Sequence, residues 1–264
     1  MALVLSGGGA RGLAHIGAID ELQERGYEIT SVAGTSMGAL VGGVFAAGKL
    51  DELRRMILGM KRFRMISLID ISLGLDHVVG GKKVMQLLRD SLGDLRIEDL
   101  RIPFCCCASD LTTGKEQVFR VGSLCDAIRA SISIPGIFKP EKKDGHVFVD
   151  GSVHNTLPLD RVERHRGDVL MAVNASAPNL YPEGPVMLKS GYSGNYVNLA
   201  SCVVELMVTT NTQMAMRLTP PVLCANIPTN LFGIFEFDKA RQIIDYGREE
   251  MHRQLDAYET SSYH

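Results

Sequence analysis

Twice before Gly48 the chain passes from a short apolar run through a glycine turn into a helical repeat, and this pattern constrains its fold more than any other feature. Residues 2–5 (Ala-Leu-Val-Leu) are wholly apolar and end in Ser6-Gly7-Gly8-Gly9, after which Leu13, Ile16, Ile19 and Leu22 recur at helical spacing. Residues 29–33 read as a second short strand, followed by Gly34-Thr35-Ser36-Met37-Gly38 and a stretch of small apolar residues through Ala47. Strands that enter helices through tight turns, twice in succession, favour a parallel sheet with right-handed crossovers and helices on both faces. The expectation is an α/β fold with three α/β/α layers around a central, mainly parallel sheet.

Further along, 51–92 is helical in pattern but broken by Gly59, Gly74, Gly80 and Gly81, which predicts several short helices forming a lid or flank. Strands are predicted at 103–109, 115–119, 146–149, 168–174 and 221–227, and helices at 123–130, 195–217 and 238–257. The stretch 177–194, rich in Pro, Gly, Ser and Asn, predicts a mobile surface loop. No internal repeat, low-complexity tract or linker divides the 264 residues. A single domain over 1–264 is expected, with motifs inside 2–175 and residues 176–264 adding a loop and C-terminal helices.

A formal net charge of −2 supplies no positive field for nucleic acid phosphates, so a nucleic-acid partner is not expected. The cysteines (105, 106, 107, 125, 202 and 224) form no C-x-x-C pair, and the three consecutive ones read as small core residues of a strand. The opening lacks the charged leader of a signal peptide, and no run of about twenty apolar residues suggests a membrane span. A cytoplasmic chain is expected, at most peripheral at the inner face of the membrane.

Gly34-Thr35-Ser36-Met37-Gly38 has the G-x-S-x-G form of a nucleophile elbow and lies between a predicted strand and a predicted helix, the context that motif requires. A serine on so sharp a turn needs neighbours without side chains, hence Gly34 and Gly38. The helix that follows directs free N–H groups and partial positive charge at the serine hydroxyl. Gly7, Gly8, Gly9, Arg11 and Gly12 supply a second run of main-chain donors, read as an oxyanion hole with Arg11 adding positive charge. Gly7-x-Gly9-x-x-Gly12 also fits a dinucleotide fingerprint, but no Asp or Glu ends the second strand to hold a ribose.

A serine hydroxyl needs a base. Seven histidines are present (15, 77, 146, 154, 165, 252 and 264), and an α/β-hydrolase would carry its own in a loop late in the chain; His165 and His252 sit among polar neighbours and neither resembles a catalytic base, and His15 reads as a residue that packs or orients the glycine loop. Asp150 ends an apolar strand beside Gly151 and can accept the serine proton directly. Taken alone, Asp-Gly is more often a turn; its value comes from standing with the two glycine motifs.

The Gly-Gly-Gly-Ala-Arg-Gly loop, the Gly-Thr-Ser-Met-Gly elbow and Asp150-Gly151 together resemble the patatin-like phospholipase family, including its bacterial cytoplasmic members, over residues 2–175. The resemblance implies a Ser36–Asp150 dyad, an oxyanion hole at Gly7–Gly12, and hydrolysis of lipid acyl esters through an acyl-serine with no metal or organic cofactor. Asn155 and Pro158 fit the family's habit after the Asp-Gly pair, whereas Ser152 departs from the usual Gly or Ala. A patatin-fold binding or regulatory protein is the other expectation.

For a lipid or acyl-ester substrate, residues 54–69 mix five cations with large apolar side chains and could touch a membrane transiently. An amphipathic helix packed on the domain is the plainer reading of that segment. Met207, Met214 and Met216, at helical spacing, read as core. Oligomeric state is not legible.

Overall fold

The computed structural model describes residues 1–59, 82–135, 137–178 and 196–261. Its strands are β1 (Ala2–Leu5), β2 (Ser31–Thr35), β3 (Phe104–Asp110), β4 (Lys115–Phe119), β5 (Glu141–Lys143), β6 (His146–Asp150), β7 (Leu170–Ala177) and β8 (Leu223–Pro228). Its α-helices are α1 (Ala14–Glu24), α2 (Met37–Ala46), α3 (Leu50–Gly59), α4 (Lys82–Leu92), α5 (Leu124–Ser131), α6 (Tyr196–Leu218) and α7 (Ala240–Ser261).

All eight strands join one sheet in the order β5-β6-β3-β2-β1-β7-β8, with β4 beside β3. The five strands β3, β2, β1, β7 and β8 run parallel, and β4, β5 and β6 are antiparallel additions at one end. The fold is thus the expected α/β type with a mostly parallel sheet flanked by helices. Period-two alternation explains why β1 is apolar at every position: Leu3 and Leu5 enter one core, and Ala2 and Val4 enter another. The first core is closed by α1, α2, α5 and α7; the second is closed by Leu157, Leu159 and Val162, with Ala215 and Met216 of α6 against it. Cys105, Cys106 and Cys107 are buried strand residues, as expected.

Several expectations need correction. Pairing in β2 begins at Ser31, opposite Ala2, rather than at 29, because Ile29 fills the core from outside the ladder. A 3-10 turn, Gly9–Leu13, precedes α1. The short edge strand β5, Glu-Lys-Lys, shows no apolar alternation by which to find it. Met216 packs in the core, but Met207 and Met214 are exposed, because α6 lays only one side on the sheet. The buried stripe of α3 is Leu50, Leu53 and Ile57, and Arg54 pairs with Asp20 and Asp51, so residues 54–59 are an amphipathic helix packed on the domain. The remainder of the 54–69 segment, residues 60–69, and most of the predicted loop, residues 179–194, lie outside the described residues. No described helix is long and apolar enough to cross a membrane.

Candidate active site

The site sits where two strands meet end to end. β2 runs parallel to β3 and stops with Thr35 opposite Cys107; β6 runs antiparallel to β3 and stops with Asp150 opposite Ala108. Since β4 pairs with β3 across both stretches, β2 and β6 share the other edge. Their C-terminal ends therefore abut, which brings the residue after β2, Ser36, beside the last residue of β6. The Ser36 Oγ donates to Asp150 Oδ2 at 2.6 Å, and both residues are buried at 4% exposure.

Ser36 has φ 55° and ψ −120°, backbone space that costs a side-chain-bearing residue roughly 1–3 kcal/mol and persists only where the surroundings impose it. The glycines on either side impose it. A Cβ on Gly34 would collide with the Gly38 carbonyl, and one on Gly38 would collide with the Leu5 carbonyl and lie 2.7 Å from Ser6 O. The Ser36 N–H donates to Ser131 Oγ at 2.9 Å, and that hydroxyl in turn donates to Cys107 O at 2.7 Å, tying the elbow to β3 through the end of α5. Helix α2 begins at Met37, so its first-turn N–H groups and the positive end of its dipole face the serine.

Asp150 is held from three directions. Its N–H donates to Ser133 O at 2.9 Å, its Oδ1 accepts the Ser152 N–H at 2.8 Å, and its Oδ2 accepts the serine hydroxyl. Gly151 is needed for the approach, since a Cβ there would run into Cys107 O and stand 2.9 Å from Thr35 Cγ2. Burial pushes the Asp150 carboxyl above its ordinary value of 3.8, against the downward pull of the Ser36 and Ser152 donors. A raised carboxylate is a stronger base.

The opening glycine turn lies against the elbow. A Cβ on Gly12 would fall 2.6 Å from Met37 Cβ, and one on Gly7 would fall 3.4 Å from Ser36 Cβ. Of the donors expected to form an oxyanion hole, two are engaged elsewhere. The Gly7 N–H donates to Thr156 O at 3.0 Å, and the Arg11 guanidinium, buried and pushed down to about 10, donates through Nε to Ala175 O at 2.8 Å and through Nη1 to Phe232 O at 3.4 Å. The N–H groups of Gly8 and Gly9 have no partner among the described residues. His15 is fully buried, donates from Nε2 to Ser6 O at 2.8 Å, and is pushed down to about 4 by burial, so it is a neutral brace behind the turn rather than a base.

Ser131, Ser133 and Asn211 escape a sequence reading. Asn211, on α6, accepts the Thr156 N–H at 3.2 Å and donates to Ser152 O at 2.8 Å, pinning the loop that follows Asp150. Single polar residues in or at the ends of helices carry no local signal; their partners at the site lie 17 to 95 positions away. Asn155 braces rather than reacts: its side chain donates to Glu116 Oε1 at 3.1 Å and its carbonyl accepts the Thr35 hydroxyl at 2.8 Å.

A strained serine on a strand-to-helix turn, facing a buried carboxylate in a mostly parallel α/β sheet, defines a class of hydrolase-type scaffolds. The chain belongs to the patatin-like phospholipase family, which it matches over residues 3–162 and whose members are generally lipid acyl hydrolases. An uncharacterised NTE family protein of Mycobacterium tuberculosis is 41% identical over 182 residues, 69% of this chain and 51% of that protein. A patatin-like phospholipase domain-containing protein of Caenorhabditis elegans is 30% identical over 96% of this chain and 20% of its own length. Neuropathy target esterase of Drosophila melanogaster is 34% identical over 60% of this chain and 12% of its own length. The chain thus spans about half the length of its mycobacterial relatives and far less of the others. Among solved structures, VipD from Legionella pneumophila superposes with a TM-score of 0.60 at 15% identity, over 97% of this chain and 67% of VipD, a likeness of fold.

Proposed function

We propose that the chain is a serine hydrolase of lipid acyl esters, with Ser36 as nucleophile and Asp150 as its base. The observation that carries this reading is the 2.6 Å hydrogen bond from Ser36 Oγ to Asp150 Oδ2 at a strained elbow. In the first step Ser36 Oγ attacks the ester carbonyl carbon and its proton passes to Asp150 Oδ2. Negative charge develops on the carbonyl oxygen, and the Gly8 and Gly9 N–H groups with the first turn of α2 are the donors available to it. Collapse breaks the ester C–O bond, and the departing alkoxide takes the proton from Asp150. Water then attacks the acyl-serine, gives its proton to Asp150, and Ser36 Oγ leaves and recovers that proton. Every step balances with these residues and water alone.

Asp150 must be ionised to act, and its carboxyl is raised by burial, so turnover falls as pH drops through a value above 3.8. Turnover of a short-chain p-nitrophenyl ester tests the reading, with Ser36→Ala expected to lose about 10⁴-fold or more in kcat. A fluorophosphonate should label wild type at Ser36 and leave Ser36→Ala unlabelled. Folded wild type that neither turns over the ester nor takes the label would favour a binding or regulatory role for this fold. Substrate access from the inner face of a membrane belongs to the same proposal, with no nucleic acid partner.

A further inference from the structure

Apart from Leu111 and Val121, the large apolar side chains left exposed among the described residues all lie between 203 and 235. They form two groups. Val204, Met207, Met214 and Leu218 follow one another at three- and four-residue spacing with Asn211 in their midst, so they share one stripe of α6. These four are between 38% and 78% exposed, and the side of α6 that packs on the sheet carries Ala215 and Met216 instead. The second group is Ile234 and Phe235, in the segment before α7. Both groups border the reaction centre. Asn211 turns its amide inward, to Ser152 O at 2.8 Å and the Thr156 N–H at 3.2 Å, and a Cβ on Gly7 would run into Ser152 Oγ. Further along the same glycine turn, Ile234 O accepts the Ala10 N–H at 2.8 Å and blocks any Cβ on Gly9. The turn therefore runs between two exposed apolar groups, and its Gly8 and Gly9 N–H groups have no partner among the described residues. Arg11 links the same two elements, since it donates to Phe232 O and Glu205 of α6 lies near enough to support its charge.

We propose that the outer stripe of α6 and the Ile234–Phe235 segment form the surface by which the protein docks on a lipid bilayer, with the glycine turn set against the lipid. The inference rests on the lipid-ester reading above. The stripe offers no charge, and the amide of its one polar member is already engaged, so it suits hydrocarbon rather than a polar partner. A second copy or another protein seated here would cover the turn that has to receive the substrate. A bilayer seated here supplies it. The helix lies on the lipid rather than crossing it, since no described helix is long and apolar enough to span. A formal net charge of −2 gives no general attraction to anionic lipid, so insertion of apolar side chains carries the binding.

The test is flotation of the full chain with phosphatidylcholine vesicles at low and high salt, for wild type, Met207→Gln/Met214→Gln and Phe235→Ser. The altered side chains are exposed, so the variants should keep the wild-type urea midpoint. Wild type should float at both salt concentrations, and each variant should lower its partition onto vesicles about tenfold. Ser36→Ala should float as wild type does, which reads docking apart from catalysis. Variants that float as well as wild type, or wild type that turns over a soluble p-nitrophenyl ester but does not float, overturn the docking surface and leave the dyad intact. Flotation that needs anionic lipid and is lost at high salt overturns it as well, since head-group attraction then does the binding. So does a wild-type dimer that does not float and that either variant dissolves, which would place a second copy on this face. Wild type that floats as expected yet turns over no ester overturns the hydrolase reading and leaves a lipid-binding face.

Discussion

The elbow at Ser36 and the glycine turn at Gly7–Gly12 touch, yet they are held in opposite ways. The elbow is held by exclusion: Gly34 and Gly38 face main-chain atoms so closely that the backbone between them has no other course. The opening turn is held by tethers from far along the chain. Thr156 O takes the Gly7 N–H, Ile234 O takes the Ala10 N–H, Ser176 Oγ donates to Gly7 O at 3.0 Å, and Arg11 is anchored on Ala175 O and Phe232 O. The geometry of Ser36 is therefore nearly local, whereas the choice of which glycine N–H stays free is made by residues between 156 and 234. A motif of the first kind can be read from five letters; one of the second kind cannot.

The largest expected effect separates the two modes. Gly38→Ala would drive a Cβ into the Leu5 and Ser6 carbonyls, neither of which can move without breaking β1, and should cost about 4 kcal/mol or prevent folding. Gly7→Ala would meet a single rotatable hydroxyl, Ser152 Oγ, and should cost about 1 kcal/mol. Urea denaturation of the two variants decides the matter, and equal costs would break the distinction.

The tethers should show themselves through pH. His15 titrates at an ordinary value of 6.5 when unfolded and at about 4 when folded, where its Nε2 holds Ser6 O. Above pH 6.5 both states are neutral and stability is complete. As pH falls from 6.5 to 4 the unfolded chain binds a proton that the folded chain does not, so stability declines by about 3 kcal/mol in all. His15→Gln can keep a donor to Ser6 O but does not titrate, so the difference between wild type and variant should close as pH falls across this window. A difference independent of pH would remove His15 from the tethers.

Next in size is the Ser131 brace of the elbow. Ser131→Ala strands the Ser36 N–H and Cys107 O in a buried site and should cost about 2 kcal/mol by denaturation, with kcat reduced more than KM is raised. A cost near zero would mean that the glycines alone hold the elbow.

Much of the fold follows from residue pattern because the parallel strands are buried on both faces and read as unbroken apolar runs. The exceptions are instructive. β5 is three charged or polar residues at an edge, where pairing needs no apolar side chain. Met207 and Met214 follow a helical spacing that usually marks a core, but α6 leaves them exposed, and spacing alone does not say which side of a helix meets the sheet. Within the site, Ser36 is legible because it follows a strand between Gly34 and Gly38, and Asp150 because it ends an apolar strand beside Gly151. That the two strands end against one another is a property of the β3 edge they share, and no local signal carries it. Ser131 was invisible for a related reason, since its role depends on where α5 docks.

The smallest effect tests the strain itself. At φ 55° and ψ −120°, Ser36 and an alanine in its place bear the same penalty, while glycine enters this region freely. Ser36→Ala and Ser36→Gly both remove the hydroxyl and both relieve Asp150 of its partner, so catalysis and the carboxylate cancel in the comparison. Glycine adds freedom to the unfolded chain, which works against it by up to about 1 kcal/mol. If the elbow stores strain, Ser36→Gly should nonetheless exceed Ser36→Ala in stability by about 1 kcal/mol in urea titrations at neutral pH. Should alanine prove the more stable, the backbone at Ser36 is comfortable with a side chain, and Gly34 and Gly38 are there for close packing on β1 rather than to force the serine forward.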